Sequence, residues 1–323
     1  MITIKNIYDL AIKMGIESDL RGKDFVLKQL KKTKEKYQKL PKEKKEEFDK
    51  EKLTNPYSDS RVFASNSDKK VNKIMAGIDI DTAELLLAKY LNDSSGKKID
   101  LVLGHHPLGR ALNDIHGVMH LQADILAQYG VPINIAESVM RPRINEIARG
   151  VFQMANYDRT VQAAGLLGFP LMCLHTPVDN LVANFLDKMI KKEEPETVGE
   201  VLKLLNSIPE YKQAIPKKAG PQIVAGRKEA RVGKITLDFT GGTNGAKEIF
   251  EHSSRAGIGT VVAMHMREEW RKEAEKHHIN VIICGDTQSD SIGMNLFLDE
   301  LEKKGVEIIP CSGLIRVKRF KKQ

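Results

Sequence analysis

Histidines in this sequence directly follow short apolar segments that have the composition of buried strands. His105 and His106 lie side by side after one segment, His175 follows a second, and His265 follows a third. Four of the nine histidines in the 323-residue chain thus lie at segment ends, which random scatter rarely produces. Because two adjacent imidazoles diverge from the backbone, they are better placed to bind two neighbouring metal ions than to bind one.

Carboxylates also lie close to the ends of apolar segments, as the histidines do. Asp179 comes four residues after His175, and Asp286 and Asp290 follow a fourth apolar segment. Imidazole together with carboxylate suits Zn, Fe, Mn or Co better than calcium. A carboxylate that bridges two such ions is typical of hydrolytic sites in which a shared water becomes the nucleophile. The pattern therefore predicts a site for two divalent metal ions.

Several of these residue types also have an ordinary structural interpretation. Imidazoles at strand ends can hydrogen-bond carbonyls. Asp79 and Asp81 could contribute to the site, but they precede a predicted helix, where N-caps are the more ordinary role. His116 and His120 have a helical spacing that fits a solvated face better than a metal site. The glycine-rich segment 241–245 could cradle an anion at the N-terminus of the following helix, or it could only form a tight turn.

The elements that must position these residues alternate between strands and helices. Helical patterns of ten or more residues separate the predicted strands, which are 73–78, 99–103, 169–175, 232–239, 259–265, 279–284 and 306–310. This alternation is typical of an α/β protein. In open α/β sheets, ligands bind beyond the carboxyl ends of the strands, where the histidines and aspartates lie.

The predicted architecture is a two-lobed core of mixed sheets flanked by helices, with an N-terminal helical extension. Its parts are a charged extension over 1–72, a first α/β lobe over 73–207, a proline-rich connection over 208–230 and a second α/β lobe over 231–323. Residues 21–52 are predicted to form one or two surface helices that pack through a narrow apolar stripe.

The net charge of +8 raises the question of a nucleic-acid partner. Residues 21–52 carry +6 and residues 316–323 carry +5, so the remainder carries −3. No nucleic-acid-binding motif accompanies these two basic appendages, and we do not expect such a partner. No apolar run approaches 18 residues, so no membrane span is predicted.

The cysteines indicate a reducing compartment. Cys173, Cys284 and Cys311 are scattered and include no CxxC pair, which excludes a disulfide scaffold or a zinc finger. We therefore expect a cytoplasmic protein.

Taken together, the motifs resemble those of the Nif-three-like dinuclear metal-centre family, also called type 2 GTP cyclohydrolase I homologues. GHHP (104–107) is similar to the family's strand–HHP signature, and HTPVD (175–179) is similar to its H-T-x-x-D segment. GKITLDFTGGTNGAKEIF (233–250) resembles its glycine-rich strand–turn–helix. GDTQSD (285–290) resembles its final G-H-x-x-x-E segment.

The resemblance implies particular metal ligands. His105 and His106 match the family's double histidine, and Asp179 matches its bridging carboxylate, with His175 beside it.

The last pair of ligands departs from the family's pattern. Asp286 stands where the family has His and Asp290 where it has Glu, with the spacing unchanged. Because Asp is shorter than Glu and harder than His, the second ion could bind more weakly or recruit a further ligand. His265 is the candidate for that ligand, with Glu269 in reserve.

Two functions from different classes fit these residues. The first is a metal-dependent hydrolase acting on a nucleotide or phosphoester-like substrate, with His175 or His265 as proton shuttle and the 241–245 loop or Arg267 as anion holder. The second is a non-catalytic metal-binding regulatory or scaffold ring that binds a ligand or a protein partner. The resemblance also implies a homohexamer, whereas the substrate, the reaction and the metal identity stay open.

Overall fold

A computed structural model of the chain describes residues 2–64, 66–96, 98–151 and 156–320. The strands are β1 Ile2–Thr3, β2 Arg61–Phe63, β3 Lys70–Val71, β4 Lys73–Gly77, β5 Leu101–Gly104, β6 Leu171–Cys173, β7 Gln222–Ala225, β8 Lys234–Asp238, β9 Ile258–Ala263, β10 Asn280–Ile283 and β11 Glu307–Pro310. The helices are α1 Ile4–Ser18, α2 Lys23–Lys39, α3 Lys42–Glu47, α4 Thr82–Ser95, α5 Gly109–Asn113, α6 His120–Gln128, α7 Ile133–Glu146, α8 Arg159–Leu167, α9 Thr176–Glu193, α10 Val198–Asn206, α11 Pro209–Ala214, α12 Ile249–Arg255, α13 Glu268–Lys276 and α14 Asp286–Lys303. Short 3₁₀ turns occur at Lys50–Leu53, Ile115–Val118 and Ile215–Lys217, and a π turn occurs at Ile147–Val151.

Two mixed sheets carry the fold. The first has the order β11-β4-β5-β6-β2 and is parallel except for β2, which runs antiparallel to β6. The second has the order β7-β10-β9-β8 and is parallel except for β7. The predicted α/β class with mixed sheets flanked by helices is confirmed.

Helices α9 and α14 lie between the two sheets. Val178 and Phe297 belong to the apolar cluster that covers one face of the first sheet. Val182 and Ile292, on the same two helices, belong to the cluster that covers a face of the second sheet. Helices α4 and α8 cover the outer face of the first sheet, and α6, α7, α12 and α13 cover that of the second.

The two central helices approach each other closely because α14 carries a glycine at their contact. A Cβ atom added at Gly293 would lie 2.4 Å from the carbonyl oxygen of Val178. Two residues separate the end of β6 from the start of α9, and two residues separate the end of β10 from the start of α14. Both helices therefore begin at the carboxyl ends of strands from different sheets, and the first turn of α9 contacts α14 at Gly293.

The N-terminal region is more deeply integrated than the predicted helical extension over 1–72. Helix α1 is buried through residues such as Ile4, which joins the core cluster of the first sheet, and a Cβ on its Gly15 would lie 2.6 Å from Cα of Pro177. Strand β2 joins the first sheet directly. Among the described elements of this region, α2 and α3 have the expected surface character. Helix α2 buries Val26 and Leu30 alone, and α3 buries no residue.

Two further differences concern the predicted lobes. The segment 208–230, expected to be a connection, contains α11 and the edge strand β7. Strand β11, expected within the lobe 231–323, pairs in parallel with β4 of the first sheet, with Ile308 opposite Ile74. A short apolar strand suits any sheet edge, so its own sequence does not encode which partner it takes.

No described helix has the length and apolarity needed to cross a membrane.

Candidate metal centre

The predicted ligands converge where α9 and α14 begin. His105 and His106 follow β5, and His175 precedes α9 at the end of β6. The ring centroid of His105 lies 5.2 Å from that of His106 and 5.1 Å from that of His175. Asp179 in the first turn of α9 and Asp290 in the second turn of α14 complete the cluster.

His105 lies at the centre of the cluster, and its side chain is 1% exposed. Its Nδ1 donates a hydrogen bond to the carbonyl oxygen of Leu174 at 2.9 Å. Its Nε2 lies 3.3 Å from Asp179 Oδ1 and 3.3 Å from Asp290 Oδ1. Because a carbonyl only accepts, the neutral ring carries its proton on Nδ1 and directs the Nε2 lone pair at both carboxylates.

His106 and His175 have the same arrangement. His106 Nδ1 lies 2.7 Å from Asp79 Oδ1, and its Nε2 lies 3.5 Å from Asp290 Oδ2. His175 Nδ1 lies 2.8 Å from Asp59 Oδ2, and its Nε2 lies 3.7 Å from Asp179 Oδ2. In each ring an outer acceptor holds Nδ1 while Nε2 faces a carboxylate, as in histidines that bind metal ions.

The inner carboxylates have free lone pairs. Asp179 Oδ1 and both carboxylate oxygens of Asp290 are buried and have no hydrogen-bond partner among the described residues. Buried charged oxygens without partners are costly unless a cation lies between them. Two sets of side chains have ligand atoms close enough to share an ion, namely His105–His175–Asp179 and His105–His106–Asp290. The donor set therefore fits divalent metal binding.

The pKa values in the metal-free site reflect how closely its histidines and carboxylates lie together. Burial disfavours a charged His105, but the carboxylates of Asp290 and Asp179 outweigh it and raise its pKa well above the usual range. Burial likewise opposes charge on His106, yet the nearby carboxylates of Asp286 and Asp79 raise its pKa to about 9. Burial raises the pKa of the Asp179 carboxyl. Without metal, protons neutralise these nitrogen–oxygen pairs, and a metal ion would replace them.

Asp286 and His265 lie at the more exposed edge of the cluster. Asp286 Oδ2 is 3.6 Å from His106 Nε2, and its Oδ1 is 3.5 Å from His265 Nε2. The His265 side chain is 52% exposed. The reserve residue Glu269 instead pairs with Lys247 at 3.3 Å, on an exposed surface.

A cavity of about 250 Å³ opens beside the cluster. Metal-site residues form part of its wall, and the uncharged part includes Leu112, Phe239, Thr240, Asn244 and Met264. Asp238, which ends β8, also lines it, and burial raises the pKa of this carboxyl. In the described part of the chain, no Lys or Arg lines this cavity. Arg267 instead lies with its guanidinium 5.7 Å from the centroid of the Trp270 ring.

Sequence reasoning missed Asp59, and for Asp79 it favoured an ordinary N-cap over a contribution to the site. The N-cap of α4 is Asp81, which forms a capping box with Glu84, whereas Asp79 holds His106. Asp59 lies in a turn-rich stretch whose composition gives no sign of its contact with His175. Its position depends on the pairing of β2 with β6, which a single sequence does not encode.

Comparison with solved structures places this fold among known ones. A NIF3 superfamily protein from Sphaerobacter thermophilus is similar with a TM-score of 0.70 and 28% identity, over 80% of this chain and 92% of that one. Reduced HcgD from Methanocaldococcus jannaschii matches with a TM-score of 0.49 and 13% identity, over 76% of this chain and 86% of that one. No sequence-family profile and no curated protein matches the chain. The likeness to the Sphaerobacter thermophilus protein confirms the predicted resemblance to the Nif-three-like family.

Proposed function

Since the chain is NIF3-like and gathers histidines and aspartates at the carboxyl ends of strands from its two sheets, we propose that it binds two divalent metal ions and is a metal-dependent hydrolase. The observation that carries the proposal is the set of buried, unpartnered carboxylate oxygens of Asp179 and Asp290 facing histidine Nε2 atoms. Zn, Fe, Mn and Co all suit this donor set.

Each ion would have its own group of residues. His175 and Asp179 would hold the first ion, and His106 and Asp290 the second, with His105 close to both. Asp286 faces the second position from its exposed side. When bound, the ions would lower the pKa of a coordinated water, which supplies a nucleophile at neutral pH.

The two histidines expected to shuttle protons differ in their surroundings. His175 is enclosed and directs Nε2 at Asp179, so we assign it to metal binding rather than to proton transfer. His265 lines the cavity and is half-exposed, so its imidazole can pass a proton between the reacting group and solvent.

The cavity suits a small substrate with a phosphoester or nucleotide-like reacting group. Because no Lys or Arg lines it among the described residues, the metal ions would supply most of the attraction for an anionic group. Arg267 has no ion-pair partner in the described part of the chain and lies just beyond His265, where it could hold a charged end of the substrate.

The test combines metal analysis with a turnover screen. We expect purified protein to carry close to two metal ions, and to hydrolyse members of a nucleotide and phosphoester panel in a chelator-sensitive manner. Activity that survives complete metal removal would exclude the proposed chemistry. Two bound metals without turnover across the panel would favour the non-catalytic regulatory or scaffold ring.

The ring alternative keeps the metal site, but part of one expected docking surface is already paired within the chain. In such a ring, the basic appendages over 21–52 and 316–323 would be the contacts for acidic partners. In the tail, Arg316 pairs with Asp299 and Arg319 with Glu210, so these charges are already matched within the chain.

Assembly and compartment are further parts of the proposal. We propose a homohexamer, supported by the family resemblance and by exposed apolar residues on the adjacent helices α4 and α8, including Leu86, Tyr90 and Leu166. Light scattering coupled to size exclusion gives the number of subunits.

A cytoplasmic location is supported by the three cysteines, which form no disulfide.

A further inference from the structure

Asp59 reaches the metal centre through the pairing of an edge strand. Strand β2 runs antiparallel to β6 with Arg61 opposite Cys173. In an antiparallel pair, the residues before one strand lie beside the residues after its partner. Asp59 and Ser60, which precede β2, are therefore brought against His175, which follows β6.

The contacts around His175 fix its ring from behind. Asp59 is fully buried, and its Oδ2 lies 2.8 Å from His175 Nδ1 while accepting a hydrogen bond from Thr176 Oγ1 at 2.6 Å. The backbone N–H of His175 donates to Ser60 Oγ at 2.9 Å. Because an ionised carboxylate only accepts, Nδ1 is the donor and the Nε2 lone pair is directed at Asp179.

The second oxygen of Asp59 has no such partner. Asp59 Oδ1 is buried and makes no hydrogen bond within the described residues. The hydrogen bonds that this carboxylate makes within the described residues are therefore at Oδ2, with His175 and Thr176. A carboxylate behind an imidazole strengthens the bond between that imidazole and a metal ion.

From this arrangement we infer that Asp59 is a positioning residue of the metal centre, which orients His175 and strengthens its bond to the ion. The inference rests on the metal binding proposed above. It makes the segment before β2 a part of the site, so metal binding and docking of this segment stabilise each other.

The test is a zinc titration of the full-length metal-free protein and its variants. Asp59→Asn keeps the shape of the side chain and removes its charge, and we expect affinity at one of the two sites to fall ~10–100-fold. Asp49→Asn is the matched control, because Asp49 belongs to the same region and pairs with Arg61 rather than with His175. Its zinc affinity should stay within about threefold of wild type. Asp59→Glu, which keeps the charge, should lose less than Asp59→Asn.

A double-mutant cycle separates positioning from general stability. If Asp59 acts through His175, adding Asp59→Asn to a His175→Ala protein should cause no further loss of zinc affinity. Equal losses in both backgrounds would overturn the inference, as would wild-type affinity in Asp59→Asn. Should Asp59→Asn not fold, the same cycle with Asp59→Glu decides between these outcomes. A wild-type protein that binds no zinc, cobalt, iron or manganese would overturn the proposed function as well.

Discussion

At the scale of single residues, three histidines are held by three different acceptors. The carbonyl of Leu174 and the carboxylates of Asp79 and Asp59 each lie against one Nδ1 atom. This arrangement leaves every Nε2 atom facing inward. The site is therefore organised for metal binding by its outer hydrogen bonds as much as by its inner side chains.

Replacing the central histidine should abolish metal binding. Since His105 Nε2 belongs to both candidate groups, we expect His105→Ala to lose most of both metal ions and its hydrolase activity. His277→Ala is the control, because His277 pairs with Glu273 on α13, away from the cluster. Elemental analysis of both proteins gives the metal content. Two retained ions in His105→Ala would contradict this assignment.

Metal affinity should depend on pH through His106. In the metal-free protein its pKa is raised to about 9, chiefly by Asp286 and Asp79 against the effect of burial. The ring is then protonated at neutral pH, and this proton must leave before Nε2 binds a metal ion. Affinity is therefore expected to increase from pH 6 towards pH 9 and to level off above it. Calorimetric titrations in buffers of different ionisation enthalpy count the released protons, and a release of zero at pH 7 would refute the prediction.

The departure at Asp286 can be reversed by one substitution. Asp286→His restores the residue type that the resemblance implies, beside His106 and His265. We expect the second ion to bind about tenfold more tightly when it is Zn or Fe, because imidazole suits these two metals better than carboxylate does. Asp286→Asn, which lacks the charge, should weaken it. Competition against a chromophoric chelator measures both, and weaker binding in Asp286→His would show that the site requires the carboxylate.

The residues that face the metal positions could be predicted from the sequence, whereas Asp59, which contacts the Nδ1 side of His175, could not. His105, His106, Asp179 and Asp290 follow apolar runs whose ends must meet in an α/β fold, so their types and spacing are informative. Asp59 is separated from His175 by more than a hundred residues, and only the register of β2 on β6 brings the two together.

At the scale of elements, the site depends on how closely α9 and α14 cross. Asp179 and Asp290 lie on these two helices, and Gly293 allows their contact. The predicted strands are all present, with ends shifted by up to two residues. The edge strands β2 and β7 escaped prediction because each is short and owes its extended form to the neighbour it pairs with.

A side chain at Gly293 should force the helices apart. Gly293→Val places atoms against Val178, so we expect a loss of about 1–3 kcal/mol in unfolding free energy together with weaker metal binding. Gly165→Ala in α8 is the control, because a Cβ there meets no atom within 4 Å. That change should stabilise by about 0.5–1 kcal/mol, since alanine favours helix over glycine. Urea denaturation of both variants measures the difference, and equal stability would contradict the close crossing.

At the scale of the whole molecule, both ends of the chain close upon the first sheet. Helix α1 covers one of its faces and β11 forms one edge. Within the described part of the basic segment 316–323, Arg316, Lys318 and Arg319 pair with carboxylates of α14 and α11. Sequence charge alone indicated a basic appendage here, and the pairing of these three residues depends on how the chain folds back.

The integration of α1 predicts a sharp difference between two neighbouring helices. Ile7 in α1 is fully buried, so Ile7→Ala should cost about 2–5 kcal/mol of unfolding free energy. Leu27 in α2 is 44% exposed, and Leu27→Ala should cost less than about 0.5 kcal/mol. Thermal denaturation distinguishes the two. Similar small losses would mean that α1 belongs to a detachable extension.

The position of β11 bears on the order of events during synthesis. The ribosome releases β4, β5 and β6 long before residues 307–310 emerge, so an unfinished chain leaves the edge of β4 open for pairing with other chains. Asp286 and Asp290 also emerge late. A nascent chain therefore holds its histidines without Asp286 and Asp290, and we expect metal to be acquired only after α14 and β11 have emerged and β11 has sealed the sheet.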